Sequence, residues 1–292
     1  MWTLNQSAGI RGNAGVPIPV PWKAFEELGI VPRRGQLILI AAGPGIGKSA
    51  MTLTMVLEAL VPSLMYSADS DAFTQLSRSI ANLADMKVSA AAEMILEDRI
   101  TDEIKSELRK IPLIIDYDSS PTPNDIEEIL MAYYELCNEF PALIVVDNIT
   151  NVVTDASDSG DPFSGLEALM DYLHSMARQT GACVIGLHHV TGDYNNGDKA
   201  IPLNGVKGQI TRVPEMVLTL HKKPLENGRW ILCVSPVKNR GGKADPTGQT
   251  YAELEFIGET MKVIDVEYHE PQTIAWEPSD DDRRMHEEVQ WS

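Results

Sequence analysis

The chain has 292 residues, 43% of them apolar, a formal charge of −18 and a pI near 4.7. That length supports one large α/β domain or two small ones without disulfide staples, and the acidic balance argues against a constitutive nucleic-acid coat, leaving room only for a local basic patch in a ring or groove. The polar, Gly-rich stretch 1–15 is no signal peptide, no apolar run nears the ~20 residues of a membrane helix, and Cys137, Cys183 and Cys233 lie far apart in apolar runs without C-x-x-C spacing. The expectation is a cytoplasmic protein with three reduced core thiols.

In chain order, residues 1–20 lack periodicity and end in alternating prolines, which predicts an extended arm. A short amphipathic helix over 22–28 stops at Gly29, and an apolar strand follows over 36–41. A Gly-rich turn leads into a helix from Lys48 to about Leu60, then a strand over 64–68. Two or three helices fill 73–110, followed by a strand over 112–116. A helix over 123–140, with Asn124 or Asp125 near its start, precedes a strand over 143–147. A helix over 164–180 ends at Gly181, and strands follow over 182–188, 216–221, 230–236 and 251–257. Near-continuous apolar strands separated by helices predict a mostly parallel sheet covered on both faces. Three segments result: an arm over 1–21, an α/β domain over 22–268 and an acidic, disordered tail over 269–292. From Asp265 onward nine acidic residues face only Arg283 and Arg284.

The strongest signal is AAGPGIGKSAM, residues 41–51, between an apolar strand and a helix. This is the context of a phosphate-binding loop, in which glycines turn backbone N–H groups towards phosphates and the helix dipole adds positive potential. Residues Ala42, Gly43, Pro44, Gly45, Ile46, Gly47, Lys48, Ser49 and Ala50 form the expected nucleotide site. Lys48 would reach the β- and γ-phosphates of ATP, and the Ser49 hydroxyl would ligate Mg²⁺. The first glycine of the general motif is replaced by Ala42. The second half is ALIVVDN, residues 142–148, in which four apolar residues deliver Asp147 to the sheet edge, where it would hold Mg²⁺ through water.

These motifs resemble the RecA-like superfamily, most closely the ATPase domain of DnaB-type replicative helicases of phage or plasmid type, over residues 20–257. The form A-x-P-x-x-G-K-S/T is shared with those helicases, so Ala42 agrees with the resemblance. In LMYSADSD, residues 64–71, Asp69 takes the place of the family's catalytic Glu, with Asp71 as a fallback. Asp69 could instead cap the helix starting near Phe73. In ACVIGLHHV, residues 182–190, His189 stands where the family senses the γ-phosphate with Gln. His188 reads equally well as a plain polar residue at a strand end. SPVKNRGG, residues 235–242, followed by DPTGQ, is similar to the family's K-N-R-x-G-x-x-G segment. The resemblance implies that Lys238 and Arg240 reach the γ-phosphate held by a neighbouring subunit. It therefore implies a homo-oligomer, a ring and in these helicases a hexamer, built by head-to-tail contact.

After His189 runs a long polar loop, TGDYNNGDKAIPLNGVKGQITR. On the same resemblance it lines a channel for single-stranded DNA, with Lys199, Gly205, Lys207, Gly208 and Arg212 as phosphate contacts. A flexible surface loop would look the same. The leading expectation is an ATP-driven DNA motor of the helicase type, pared down as in a phage or mobile element and acting in a host cytoplasm. Two others stay open: a filament-forming recombination or annealing ATPase, and a regulatory assembly protein switched by ATP without DNA. Trp276 and Trp291 among the tail's carboxylates could dock a replication or recombination protein, although solubilising disorder explains them as well.

Overall fold

The computed structural model describes residues 3–154, 165–224 and 230–266. Among them nine strands join in one sheet: β1 (Leu37–Ala42), β2 (Ser63–Ser67), β3 (Leu113–Asp116), β4 (Leu143–Asp147), β5 (Cys183–His189), β6 (Met216–Pro224), β7 (Trp230–Asn239), β8 (Ala252–Ile257) and β9 (Lys262–Asp265). Their spatial order is β3-β2-β4-β5-β1-β6-β7-β8-β9. The first six pair in parallel and the last three join antiparallel, so the expected fold class is the observed one. β1, β2 and β4 are buried along their whole length, which explains their unbroken apolar runs.

Eight α-helices are described: α1 (Leu4–Ile10), α2 (Lys23–Leu28), α3 (Lys48–Ala59), α4 (Ala72–Leu83), α5 (Val88–Leu96), α6 (Asp102–Lys110), α7 (Pro123–Cys137) and α8 (Leu166–Thr180). α2 and α3 cover one sheet face, where Trp22, Phe25, Met51 and Met55 meet Ile38, Ile40 and Leu218. α7 and α8 cover the other, where Ile126, Leu130, Leu169 and Leu173 meet Leu39, Ile144 and Val184. α4, α5 and α6 enclose a small separate core around Ile80, Ala81 and Ala91. Local chemistry sets the helix starts. Thr122 and Asp125 form a reciprocal capping box on α7, and Thr101 caps α6.

Several expectations are corrected. The extended arm instead opens with α1, because Thr3 and Gln6 complete a capping box. The next stretch is bound to the domain: Ile18 N–H donates to Pro32 O at 2.9 Å, and Arg34 N–H donates to Val16 O at 2.9 Å. A strand not foreseen, β9, closes the domain, and the carboxylate of its last residue, Asp265, accepts from the N–H groups of Lys23 and Ala24. Only Cys183 and Cys233 are core thiols; Cys137 lies exposed at the last residue of α7. The tail proper, with Trp276 and Trp291, lies outside the described residues. No described helix is long and apolar enough to cross a membrane.

Candidate nucleotide site

In a doubly covered parallel sheet, ligands bind beyond the carboxyl ends of the strands, where successive crossovers run in opposite directions. Here β1, β4 and β5 are neighbours and deliver the phosphate loop, Asp147 and His188–His189 to one edge. The loop bends where Gly45 (φ 70°) and Gly47 (φ 118°) take left-handed backbone, and α3 starts at Lys48 directly after. A close approach explains Gly43: a Cβ there would lie 2.2 Å from Asn195 O. Gly197, two residues further on, packs against Ile46 in the same way. The turn after β5 therefore lies directly on the phosphate loop.

Lys48 is buried, and its Nζ donates to Ala42 O (3.1 Å) and Gly43 O (3.0 Å). It also lies 3.1 Å from His189 Nδ1. An ammonium can only donate, so Nδ1 accepts and Nε2 carries the imidazole proton. That N–H points to Asp69 Oδ2 at 3.3 Å. Lys48, His189 and Asp69 thus form one chain of polar contacts. Burial pulls the Lys48 ammonium down to about 8, against the opposing pull of Asp147 and Asp69. Asp147 is raised, first by burial and then by Asp69, while the Ser49 hydroxyl that donates to it and Lys48 act the other way.

This edge fits ATP with Mg²⁺ on its own donor set. It offers glycine-turned backbone at a helix N-terminus, one Lys, and a hydroxyl beside a carboxylate, the hard oxygen donors that Mg²⁺ prefers. Asp71, the fallback base, is committed elsewhere. It is the N-cap of α4, accepting from Thr74 N–H at 2.7 Å, and those bonds to Thr74 hold its carboxyl low. The capping role considered for Asp69 therefore belongs to Asp71. His188 is buried with no partner for Nδ1, and burial pulls it down to about 4.

Lys238 and Arg240 lie at the opposite edge. β7 runs antiparallel, so its end pairs with the start of β6 (Lys238 opposite Val217, Asn239 opposite Met216). Arg240 N–H donates to Glu215 O, and Glu215 N–H to Leu37 O, at the beginning of β1. From Leu37 to Ala42 the strand climbs roughly 16 Å. Lys238 Nζ donates to Thr211 O and Arg212 O, both at 2.7 Å, and Arg240 Nη2 to Arg212 O at 3.4 Å. Burial, with Arg240 adjacent, lowers the Lys238 ammonium to about 8. Glu215, not singled out above, braces this corner: its carboxylate accepts from Leu37 N–H and lies 3.0 Å from His174 Nε2 on α8.

The loop from Val190 to Pro214 is anchored to the body by Ile201, Val206 and Ile210 in the core. Its basic residues divide into two places. Lys199 lies 5.2 Å from the Tyr194 ring centroid, and Lys207 beside Gly192. Tyr194 packs where Gly205 leaves room for its ring. Arg212 sits at the far corner, paired with Glu167 at 2.6 Å. Gly208 (φ 87°) turns the chain between them. Asn195, Gly197 and Glu215 escaped the sequence reading because each acts through its backbone or a partner distant in the chain.

The fold and its edges can be set beside known proteins. The chain is 56% identical over 265 residues to "Gene 65 protein" of Mycobacterium phage L5, spanning 91% of this chain and 99% of that one. It is 28% identical over 226 residues to DNA repair protein RadA of Brucella abortus (strain 2308), covering 74% of this chain and 39% of RadA. Among solved structures, a DnaB-like replicative helicase described with its interactions with primase superposes with a TM-score of 0.72 at 16% identity, over 91% of this chain and 68% of that one. The RadB recombinase superposes at 0.57, also 16% identical, over 86% of this chain and all of that one. At such identities these two show a shared fold. The family profile "DnaB-like helicase C terminal domain" matches residues 24–256, from α2 through β8, a span that holds the phosphate loop, Asp147 and the KNR corner together. The chain belongs to the DnaB-like helicase C-terminal domain family.

Proposed function

We propose that the protein is an ATPase motor acting on single-stranded DNA as a head-to-tail ring, with Lys238 and Arg240 completing the ATP site of the next subunit. One observation carries this reading: the phosphate loop and the Lys238–Arg240 corner sit at opposite edges of one sheet. The separation along β1 exceeds the reach of an arginine side chain, so the corner stands out of reach of its own phosphate loop. A repeated head-to-tail contact brings the two edges of adjacent copies together. The domain limits of arm, ATPase body and tail are part of the same reading.

In this mechanism Lys48 exchanges its bonds to Ala42 O and Gly43 O for phosphate oxygens. Ser49 and Asp147 would hold Mg²⁺, which supplies charge neutralisation on the phosphates. Asp69 accepts a proton from the attacking water, and His189, hydrogen-bonded to Asp69 and Lys48, positions both. Arg240 from the neighbour stabilises the charge that develops on the transferred phosphoryl group. The turn carrying Asn195 and Gly197 rests on the phosphate loop, so a change there passes into the loop bearing Lys199, Gly205, Lys207, Gly208 and Arg212, the candidate DNA contacts.

The test is ATP turnover with and without single-stranded DNA, using Lys48→Ala, Arg240→Ala and an equal mixture of the two. Each variant alone is expected to be inactive. In the mixture, some interfaces pair an intact phosphate loop with an intact Arg240, so activity should return. An inactive mixture of co-assembled subunits would sink action in trans, and turnover indifferent to DNA would sink the DNA motor. The likeness to RadA and RadB keeps a filament as the second reading; electron micrographs showing open filaments with ATP would favour it.

A further inference from the structure

No Lys or Arg occurs in the sequence between Lys110 and Arg178. α7 lies within this stretch. Its inner face, Ile126, Leu130 and Tyr133, is buried against the sheet. Its outer face carries Asn124, Glu127, Glu128, Met131, Ala132 and Glu135 at helical spacing, lining one shallow depression. Beside it a groove of about 310 Å³ runs between α7 and α8, with Leu130, Met131, Phe140, Tyr172 and Met176 in its walls. Glu127 and Met131 line both, so the two are continuous.

This seam is firmly built. The Tyr172 hydroxyl donates to Pro123 O at 3.0 Å, and the Tyr134 and Phe140 rings lie 4.6 Å apart. Yet Met131 is 45% exposed and Leu136, at the end of α7, 77% exposed. Glu127, Glu128 and Glu135 form no ion pair among the described residues.

We propose that this groove docks a basic amphipathic helix of a partner protein. The apolar stripe of that helix would lie on Met131, Phe140 and Met176, with its Lys and Arg flanks against Glu127, Glu128 and Glu135. Charge complementarity selects this occupant. An apolar floor with a one-signed rim is how a groove recognises an amphipathic helix of opposite charge. A second copy brings another −18 to a rim that is already acidic, and a nucleic-acid backbone carries the same sign. A metal ion is not called for, since no metal-holding cluster of carboxylates, His or Cys exists among the described residues. The site is separate from the phosphate loop and from Lys238 and Arg240, so it stands whether or not the motor reading does.

The probe is a fluorescein-labelled amphipathic peptide of ~18 residues, about the length of a five-turn helix, with Leu along one stripe and Lys and Arg on both flanks. Its control is a scrambled peptide of the same composition, and both are titrated by anisotropy against the full chain at about 0.15 M ionic strength. The proteins are wild type, Met131→Asp, the triple Glu127→Gln/Glu128→Gln/Glu135→Gln, and a remote triple of equal charge, Glu27→Gln/Glu58→Gln/Glu93→Gln. Circular dichroism melts confirm that each is folded.

The amphipathic peptide should bind about tenfold more tightly than the scramble, and both groove variants should lose about tenfold while the remote triple changes by less than about twofold. The proposal is overturned if the peptide does not bind, if the scramble binds equally, or if groove and remote triples weaken binding alike. It is also overturned if Met131→Asp changes the oligomeric state by sedimentation, which would make the groove a contact between subunits.

Discussion

The two edges of the sheet solve opposite electrostatic problems. At the carboxyl edge, buried Lys48 and Asp147 share one polar cluster with half-exposed Asp69 and His189, brought together by β1, β2, β4 and β5 of a single chain. At the amino edge, Lys238 and Arg240 have no carboxylate in direct contact among the described residues and rest on the carbonyls of Thr211 and Arg212. The first edge holds charges of both signs in contact. The second is a cationic corner resting on backbone carbonyls, with Glu215 as the nearby carboxylate that acts on Lys238. The contrast teaches that a phosphate loop is assembled locally, whereas the sheet places the cations of β7 at the other edge, which is why the proposed function calls on a second chain to use them.

The sharpest way to break the comparison is Arg240→Ala. If the corner acts on a neighbour's phosphoryl group, turnover should fall about 10³–10⁵-fold. ATP binding, read by a fluorescent analogue, should weaken far less, because the phosphate loop is untouched. A loss of binding equal to the loss of turnover would place Arg240 in ground-state binding instead.

Asp69→Asn addresses the other edge. Loss of a general base should lower turnover about 10²–10⁴-fold without altering nucleotide affinity. Asp69→Glu is the informative partner, since it restores a carboxylate one methylene longer; turnover at or above wild type would show that reach, not identity, limits this site.

Gly43→Ala probes the contact between the phosphate loop and the turn after β5. Its Cβ would meet a backbone oxygen at 2.2 Å, which cannot be relieved by a rotamer change. A loss of about 1–3 kcal/mol in unfolding free energy is expected by chemical denaturation, as for overpacking elsewhere. Gly197→Ala meets the flexible side chain of Ile46, although its φ of 63° adds backbone strain. Equal effects at the two positions would mean that the contact with Asn195 is not the tighter constraint.

The last test concerns acid. Burial holds His188 at about 4, below its unfolded value, so between roughly pH 6.5 and 4 the unfolded chain binds a proton that the folded one refuses. Stability therefore falls as pH drops through that window, by on the order of 3 kcal/mol when complete. His188→Asn should flatten this part of the pH–Tm curve. An unchanged slope would assign the acid sensitivity to other groups; Asp147 is not one of them, because a carboxyl raised by burial takes up a proton on folding and opposes the loss.

Most of the fold was legible because burial on both sheet faces forces unbroken apolar strands, and capping residues mark helix starts. α1 and β9 were missed for the same reason: both are short, and the capping box at Thr3 and the docking of Asp265 on α2 contribute little apolar periodicity. Asp71 and Asp69 illustrate the limit at the site. Two carboxylates two residues apart look alike in sequence, and only the start of α4 assigns one to a cap and leaves the other beside His189.

The sequence by itself determined the nucleotide edge, because a phosphate loop is a local object: glycines, a Lys and a helix start must be contiguous for backbone N–H groups to converge. Asp147 could be added since a buried strand can deliver only its last residue to that edge. What the tertiary structure alone decided was distance. That Lys238 and Arg240 stand a strand's length from their own phosphate loop, and that Asn195 lies against Gly43, follows from the antiparallel return of β7 and the path of the loop after β5. Strand direction in a sheet is set by pairing between segments far apart in the chain, so no local pattern of residues encodes it.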